Sequence, residues 1–213
     1  MELGDPAEQR TERGRLDVVL DKLNDYFAEL LETVETGGLD QLTADQKVAV
    51  WRRFETFRNR LPLIDHSLIA DAEATDLAGS HCASSLTGFL VQVLQLSPGE
   101  AASRVRAAAA VGPRMSMLGE QLEQVLPRLA ALQRQGAVST EKVQIVERAM
   151  QKLSRPGLNP DAVDTAEELL TDHAPILGPT DLRRYALHVV NAADPDGPNP
   201  LMTSCSKTAA MWS

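Results

Sequence analysis

Residues 16–34 read LDVVLDKLNDYFAELLETV. The apolar residues Leu16, Val19, Leu20, Leu23, Tyr26, Phe27, Leu30, Leu31 and Val34 fall three or four positions apart. On a 3.6-residue repeat that spacing collects them into one stripe, the mark of an amphipathic helix. A half-buried strand would alternate apolar and polar residues instead. The stripe predicts a long helix from about Glu12, stopped at Gly37-Gly38.

The same periodicity recurs along the chain. Thr43-x-x-Gln46 has the form of a capping box and opens a helix through Val48, Trp51, Phe54 and Phe57. Pro62 is expected to close it by pushing Leu61 out of helical geometry. A helix over Ile64–Leu77, interrupted near Gly79, comes next. A short one over Leu86–Leu94 is capped by Ser84 or Ser85. Ser97-Pro98 places a cap and then a proline at the first helical position, starting a helix to Val111. Gly112-Pro113 ends that helix. A helix over Met115–Gln135 is expected to kink near Pro127. Ser139 starts another to Leu153, Asp161 caps one to His173, and Thr180 caps the last, to Asn191. No stretch shows strict alternation over a strand length. The fold class read from this pattern is all-α, a multi-helix bundle of eight or nine helices. Residues 1–11 read as a flexible N-terminus, 12–197 as the helical domain and 198–213 as a disordered tail.

Composition agrees with such a bundle. Hydrophobic residues make up 43% of the 213-residue chain, but aromatics only 4%, so Ala, Leu and Val carry the apolar volume. Small and straight side chains favour helices over sheets. The net charge is −9, which disfavours polyanions overall. Residues 97–155 run against that balance, with nine basic residues to five acidic, and leave room for a nucleic-acid face. Cys82 and Cys205 form neither a disulfide framework nor zinc spacing. Without an apolar leader or a run long enough to span a bilayer, the expected location is cytoplasmic, with no membrane partner.

The segment 85–111, SLTGFLVQVLQLSPGEAASRVRAAAAV, is the strongest candidate site. A short helix, a tight turn and a capped helix bearing Arg104 and Arg106 make a helix-turn-helix-like layout. In that motif the second helix presents an exposed face to the DNA major groove. Ser103 and Arg104 are expected to face outward, with Arg106 and Arg114 completing a DNA-contacting set. The turn carries Gln95 where glycine is usual, and the plainer reading is two bundle helices joined by a turn.

Other chemistry is sparse. Asp65-His66 resembles an acid beside a base, but adjacent helical residues diverge by about 100°. Asp65 as a helix cap and His66 as a satisfied polar residue is the preferred reading. His66, His81, His173 and His188 show no metal-ligand spacing, and Cys82 has no activating partner beyond His81. There is no phosphate-binding glycine loop and no nucleophile elbow. Catalytic, metal and cofactor residues are therefore all expected to be none.

Several ordered runs together resemble a known family. They are Phe57-Arg-Asn-Arg-Leu-Pro-Leu-Ile-Asp-His-Ser-Leu-Ile69, Leu94-Gln-Leu-Ser-Pro-Gly-Glu-Ala101 with Arg104-Val105, and Gly112-Pro-Arg114 with Gly119-Glu-x-Leu122. Leu126-Pro127, Gly136-x-Val-Ser-x-Glu-x-Val143, Ala166-Glu167 with Leu169 or Leu170, and Asp194-Pro-Asp-Gly197 continue the series. Over residues 14–198 the chain resembles the mycobacterial 13E12 repeat family, domain of unknown function 222. The resemblance implies a helical domain that in longer members precedes an HNH endonuclease module. No residue here matches that module, so the chain is expected to be a partial, non-catalytic member. Two functions follow as expectations. One is a DNA-binding or targeting domain using Ser103, Arg104, Arg106 and Arg114 on duplex DNA. The other is a structural or protein-interaction module, homo-oligomeric through the N-terminal helix.

Overall fold

The computed structural model describes residues 6–116 and 119–194, with the backbone alone for 6–13. The chain divides into two compact units, Met1–Arg53 and Phe54–Ser213. The tail expected at 198–213 lies outside the described residues.

In the first unit, α1 spans Pro6–Glu35, beginning six residues before the expected Glu12. It ends where the Gly38 N–H donates to the Thr33 carbonyl at 2.9 Å. α2 spans Ala44–Arg60 and opens with the predicted capping box. The Thr43 N–H donates to Gln46 Oε1 at 2.9 Å, and the Gln46 N–H donates to Thr43 Oγ1 at 3.3 Å. No residue from 14 to 53 is buried. Over the described residues 14–53 the unit has helices but no core of its own.

The second unit takes the last two turns of α2 and everything after. Leu61 departs from expectation: it stays helical, at φ −54° and ψ −39°. α3 (Pro62–Ala74) therefore follows α2 almost without interruption. What Pro62 removes is a backbone donor rather than the helical conformation of its neighbour. A single turn, α4 (Leu77–Ser80), precedes α5 (Leu86–Leu94) and α6 (Pro98–Val111). Ser85 and Ser97 cap the latter two by accepting from the Gly88 and Glu100 N–H groups.

The helix expected over 115–135 is instead a small hairpin followed by a shorter helix. β1 (Arg114–Met115) pairs antiparallel with β2 (Gln121–Leu122), Arg114 opposite Leu122. The Ser116 N–H closes the hairpin on the Glu120 carbonyl at 2.8 Å. Pro127 makes no kink: it is the first residue of α7 (Pro127–Gln135), where a missing N–H costs nothing. α8 (Thr140–Leu153) is capped by Ser139 as expected. The caps of α9 (Pro160–His173) and α10 (Pro179–Ala193) are two residues earlier than expected. Asn159, not Asp161, caps α9, and Gly178, not Thr180, occupies the cap of α10. Both helices again begin on proline.

Among the described residues this is an all-α bundle of nine longer helices and one single turn. Two apolar clusters hold the second unit together, and α6 belongs to both. Its Ala107, Ala110 and Val111 join Leu129, Val143, Val146, Leu153, Leu170 and Leu182 from α7 to α10. Its Ala101 and Ala108 join Ile69, Phe89 and Leu90 from α3 and α5.

Candidate functional site

The α5–α6 segment has the order helix, turn, helix. Gln95 takes the left-handed conformation at the turn, φ +54°, with its side-chain amide donating to the Gln92 carbonyl at 2.7 Å. The second helix lacks the free face that was expected. Beyond its first turn α6 has a single exposed residue, Ala109. Ser103, expected to face outward, is 6% exposed, and its hydroxyl has no hydrogen-bond partner.

The arginines separate for a geometric reason. Residues two apart on a helix point about 200° apart, so Arg104 and Arg106 leave α6 on opposite sides. Arg104 turns to α3, with Nη1 3.0 Å from Asp65 Oδ2, and pairs within its own helix with Glu100 at 3.0 Å. Arg106 turns to α8, with Nε 3.8 Å from Glu147 Oε2. Arg114 sits on β1 and donates from Nη1 to the Glu123 carbonyl at 3.0 Å. The four predicted residues thus form no common surface. Three guanidinium groups bind acceptors of the chain itself, and the serine is in the core.

Asp65 does not cap α3, whose N-cap residue is Leu61 with no side-chain bond; it pairs with Arg104. His66 is 3% exposed, its Nε2–H donating to Gln133 Oε1 of α7 at 3.1 Å, while Nδ1 has no partner. Burial pushes its pKa below the usual histidine value, against the Gln133 hydrogen bond and the Asp65 charge, which raise it. His66 is therefore a neutral core residue tying α3 to α7. His81 faces Phe89, and His173 stacks on Tyr185 at 4.4 Å. Among the described residues no three or more of His, Cys, Asp and Glu are grouped to hold a metal ion. Nor is any helix there long and apolar enough to cross a membrane. Cys82 is exposed, with φ +56°.

Sequence reasoning missed two acids. Glu147 of α8 and Glu167 of α9 are 8% and 9% exposed and line a cleft of about 390 Å³ with Arg106. Burial raises the pKa of Glu147, opposed by the charges of Arg106 and Arg148. It also raises that of Glu167, opposed by the charge and the backbone N–H of Arg128. Each acid sits on the inward stripe of its helix, between Val143, Val146 and Met150 or between Ala166 and Leu170. That placement is the one signal that could have found them.

The family described as "Domain of unknown function (DUF222)" matches residues 48–206. The chain belongs to that family. The DUF222 match takes in the hairpin, the Arg106–Glu147–Glu167 cleft and nearly all of the second unit. The 13E12 repeat family, whose pattern the sequence resembles, is this same family. "Uncharacterized protein Mb1179c" of Mycobacterium bovis is 30% identical over 179 residues, 82% of this chain and 38% of the relative. "Uncharacterized protein Rv1945" of Mycobacterium tuberculosis shows the same identity and coverage. "Uncharacterized protein MT1160" of Mycobacterium tuberculosis is 27% identical over 184 residues, 83% of this chain and 42% of the relative. The chain spans only 38% to 42% of the length of these curated relatives. No solved structure matches it.

Proposed function

We propose that this DUF222 chain is a non-catalytic protein-interaction module that self-associates through α1. The observation that carries the reading is the α1 stripe. Its nine apolar residues from Leu16 to Val34 are each 40–68% exposed, on a unit with no buried residue from 14 to 53. Helices in proteins draw most of their stability from packing an amphipathic face, and an apolar face of this extent marks an association surface.

The sequence of α1 favours a second copy as occupant. Leu16, Leu23 and Leu30 recur every seven residues, with Val19-Leu20 and Tyr26-Phe27 between them, as in the seam of a coiled coil. Residues 23–35 carry Asp25, Glu29, Glu32 and Glu35 and no base, whereas in 15–22 Arg15 and Lys22 balance Asp17 and Asp21. A parallel pair would stack the acidic halves. An antiparallel pair that overlaps 16–33 fully sets Lys22 of each copy beside Glu29 of the other.

The competing reading is duplex DNA binding through Arg104, Arg106 and Arg114. Sedimentation velocity over about 1–200 µM, beside a low-salt duplex titration, separates the two. The expected result is a concentration-dependent dimer that is lost in Leu23→Asp. Lys22→Glu weakens the dimer, and Lys22→Glu/Glu29→Lys restores it. A strictly monomeric protein that retains duplex, and loses it in Arg104→Ala/Arg106→Ala, overturns the reading.

A further inference from the structure

A second apolar stripe runs along α2 and α3, on residues of the second unit and apart from α1. Phe54, Phe57, Leu61, Ile64 and Leu68 are 39–57% exposed and follow one another at steps of three, four, three and four residues. That is the repeat by which one helix pairs with another. Leu61, helical at φ −54°, carries it past Pro62. The groups that fasten these helices to the bundle point elsewhere. Asn59 bonds the Gly136 carbonyl, His66 bonds Gln133, and Ile69 joins the cluster with Phe89. At 100° per residue all three lie outside the arc of about 80° that holds the stripe.

The edges of the stripe are basic. By the same periodicity Arg58 lies along one edge, and Arg53 and Arg60 along the other. α2 as a whole carries Lys47, Arg52, Arg53, Arg58 and Arg60 against Asp45 and Glu55. Asp65, an acid on the Arg58 edge, is already neutralised by Arg104 at 3.0 Å. Arg58 pairs with Glu55 at 3.2 Å, an exposed contact that another carboxylate replaces at little cost. Pairing the stripe with a second copy of itself, in either direction, would set these arginines against one another. A helix with an apolar seam and acidic flanks complements it in both spacing and charge.

We propose that the α2–α3 stripe docks an acidic amphipathic helix of a partner protein. The two apolar seams interlock, and carboxylates flanking the partner's seam lie beside Arg53, Arg58 and Arg60. This surface is separate from the pairing through α1 and does not depend on it.

The test is fluorescence anisotropy of the full chain with a labelled synthetic helix that has leucine at both heptad seam positions and glutamate on both flanks. Its own charges keep that peptide from pairing with itself. The expected result is saturable binding with Kd on the order of 10 µM, and none for the same peptide with lysine flanks or a serine seam. Ile64→Asp and Leu68→Asp each weaken binding roughly tenfold or more. Both side chains are more than half exposed, so the fold tolerates the change. Val93→Asp, at an equally exposed apolar residue of α5, leaves binding unchanged. Arg58→Gln/Arg60→Gln weakens it about fourfold, the scale of two edge ion pairs. Leu23→Asp on α1 has no effect. Absence of saturable binding, equal binding of the lysine-flanked peptide, or affinity indifferent to Ile64→Asp and Leu68→Asp overturns the proposal. So does binding that appears only in Leu23→Asp, because the chain's own α1 would then be the occupant of the stripe.

Discussion

Gly136→Ala tests how α2 is held to the rest of the second unit. Gly136 ends α7 in the left-handed conformation, φ +74°, and its N–H donates to the Gln133 carbonyl at 2.9 Å. A Cβ there would lie 2.4 Å from the Thr56 carbonyl oxygen and 2.7 Å from Thr56 Cγ2, both on α2. The carbonyl is helix backbone, so α2 itself must move. That movement breaks the bond from Asn59 Nδ2 to the Gly136 carbonyl, now 3.0 Å. The left-handed conformation costs alanine about 1–2 kcal/mol, and the lost hydrogen bond adds about 1 kcal/mol. A total of about 3 kcal/mol corresponds to a fall in Tm of roughly 10 °C for a unit of this size. Differential scanning calorimetry of the full chain measures it. Asn59→Ala isolates the hydrogen bond and should lower Tm by about 3 °C. Gly99→Ala, where an added Cβ meets nothing within 4 Å, should leave it unchanged or slightly raised. If Gly136→Ala lowers Tm no more than Asn59→Ala does, the close approach of α2 to this turn is not as described.

Two further predictions concern buried polar groups. Ser103→Ala removes a core hydroxyl with no partner and should stabilise the unit by about 1 kcal/mol in urea unfolding; a loss of stability would contradict its unpartnered burial. His66 is held neutral by burial, so below its ordinary pKa of 6.5 the unfolded chain binds a proton that the native one resists. Its contribution is complete above that pH and is lost as pH falls beneath it, by at most about 1.4 kcal/mol per pH unit. Glu147 and Glu167 act in the opposite sense: their raised pKa values mean that the penalty of burying charge eases as pH falls toward 4.5. Urea unfolding between about pH 7.5 and 5 should therefore show a steeper acid-side loss in the native chain than in His66→Gln, and equal slopes would contradict the buried imidazole.

What the sequence disclosed was mostly local. The caps at Thr43, Ser97 and Ser139 were readable, and that of α5 was narrowed to Ser84 or Ser85, because a hydroxyl and the N–H it accepts from lie within three residues. Pro127 was misread because a proline beginning a helix and one bending it carry the same letter. The chain in front decides which it is. The starts of α9 and α10 were set two residues late because Asp161 and Thr180 look like caps whether or not a proline stands before them. The hairpin at 114–122 escaped notice because two-residue strands are too short to show a period. For the candidate site the obstacle was distance along the chain. Arg104 and Arg106 look like one basic patch until Asp65 and Glu147, roughly forty residues away on either side, come into contact with them. Glu147 and Glu167 lie on the apolar stripes of α8 and α9, but which neighbours bury them shows only once the helices are packed.

The alanine-rich stretch of α6 gives the second unit a keystone with almost no side chain. Ala101, Ala107, Ala108 and Ala110 are all below 8% exposure, on faces turned toward different neighbours. A methyl group is the smallest spacer that still excludes water, so the surrounding helices are set by backbone-to-backbone proximity rather than by interlocking bulk. Drift toward larger residues there has no direction in which to relax, since relieving one neighbour crowds the next. Sequence freedom in this domain should therefore be narrowest at its least chemically distinctive positions.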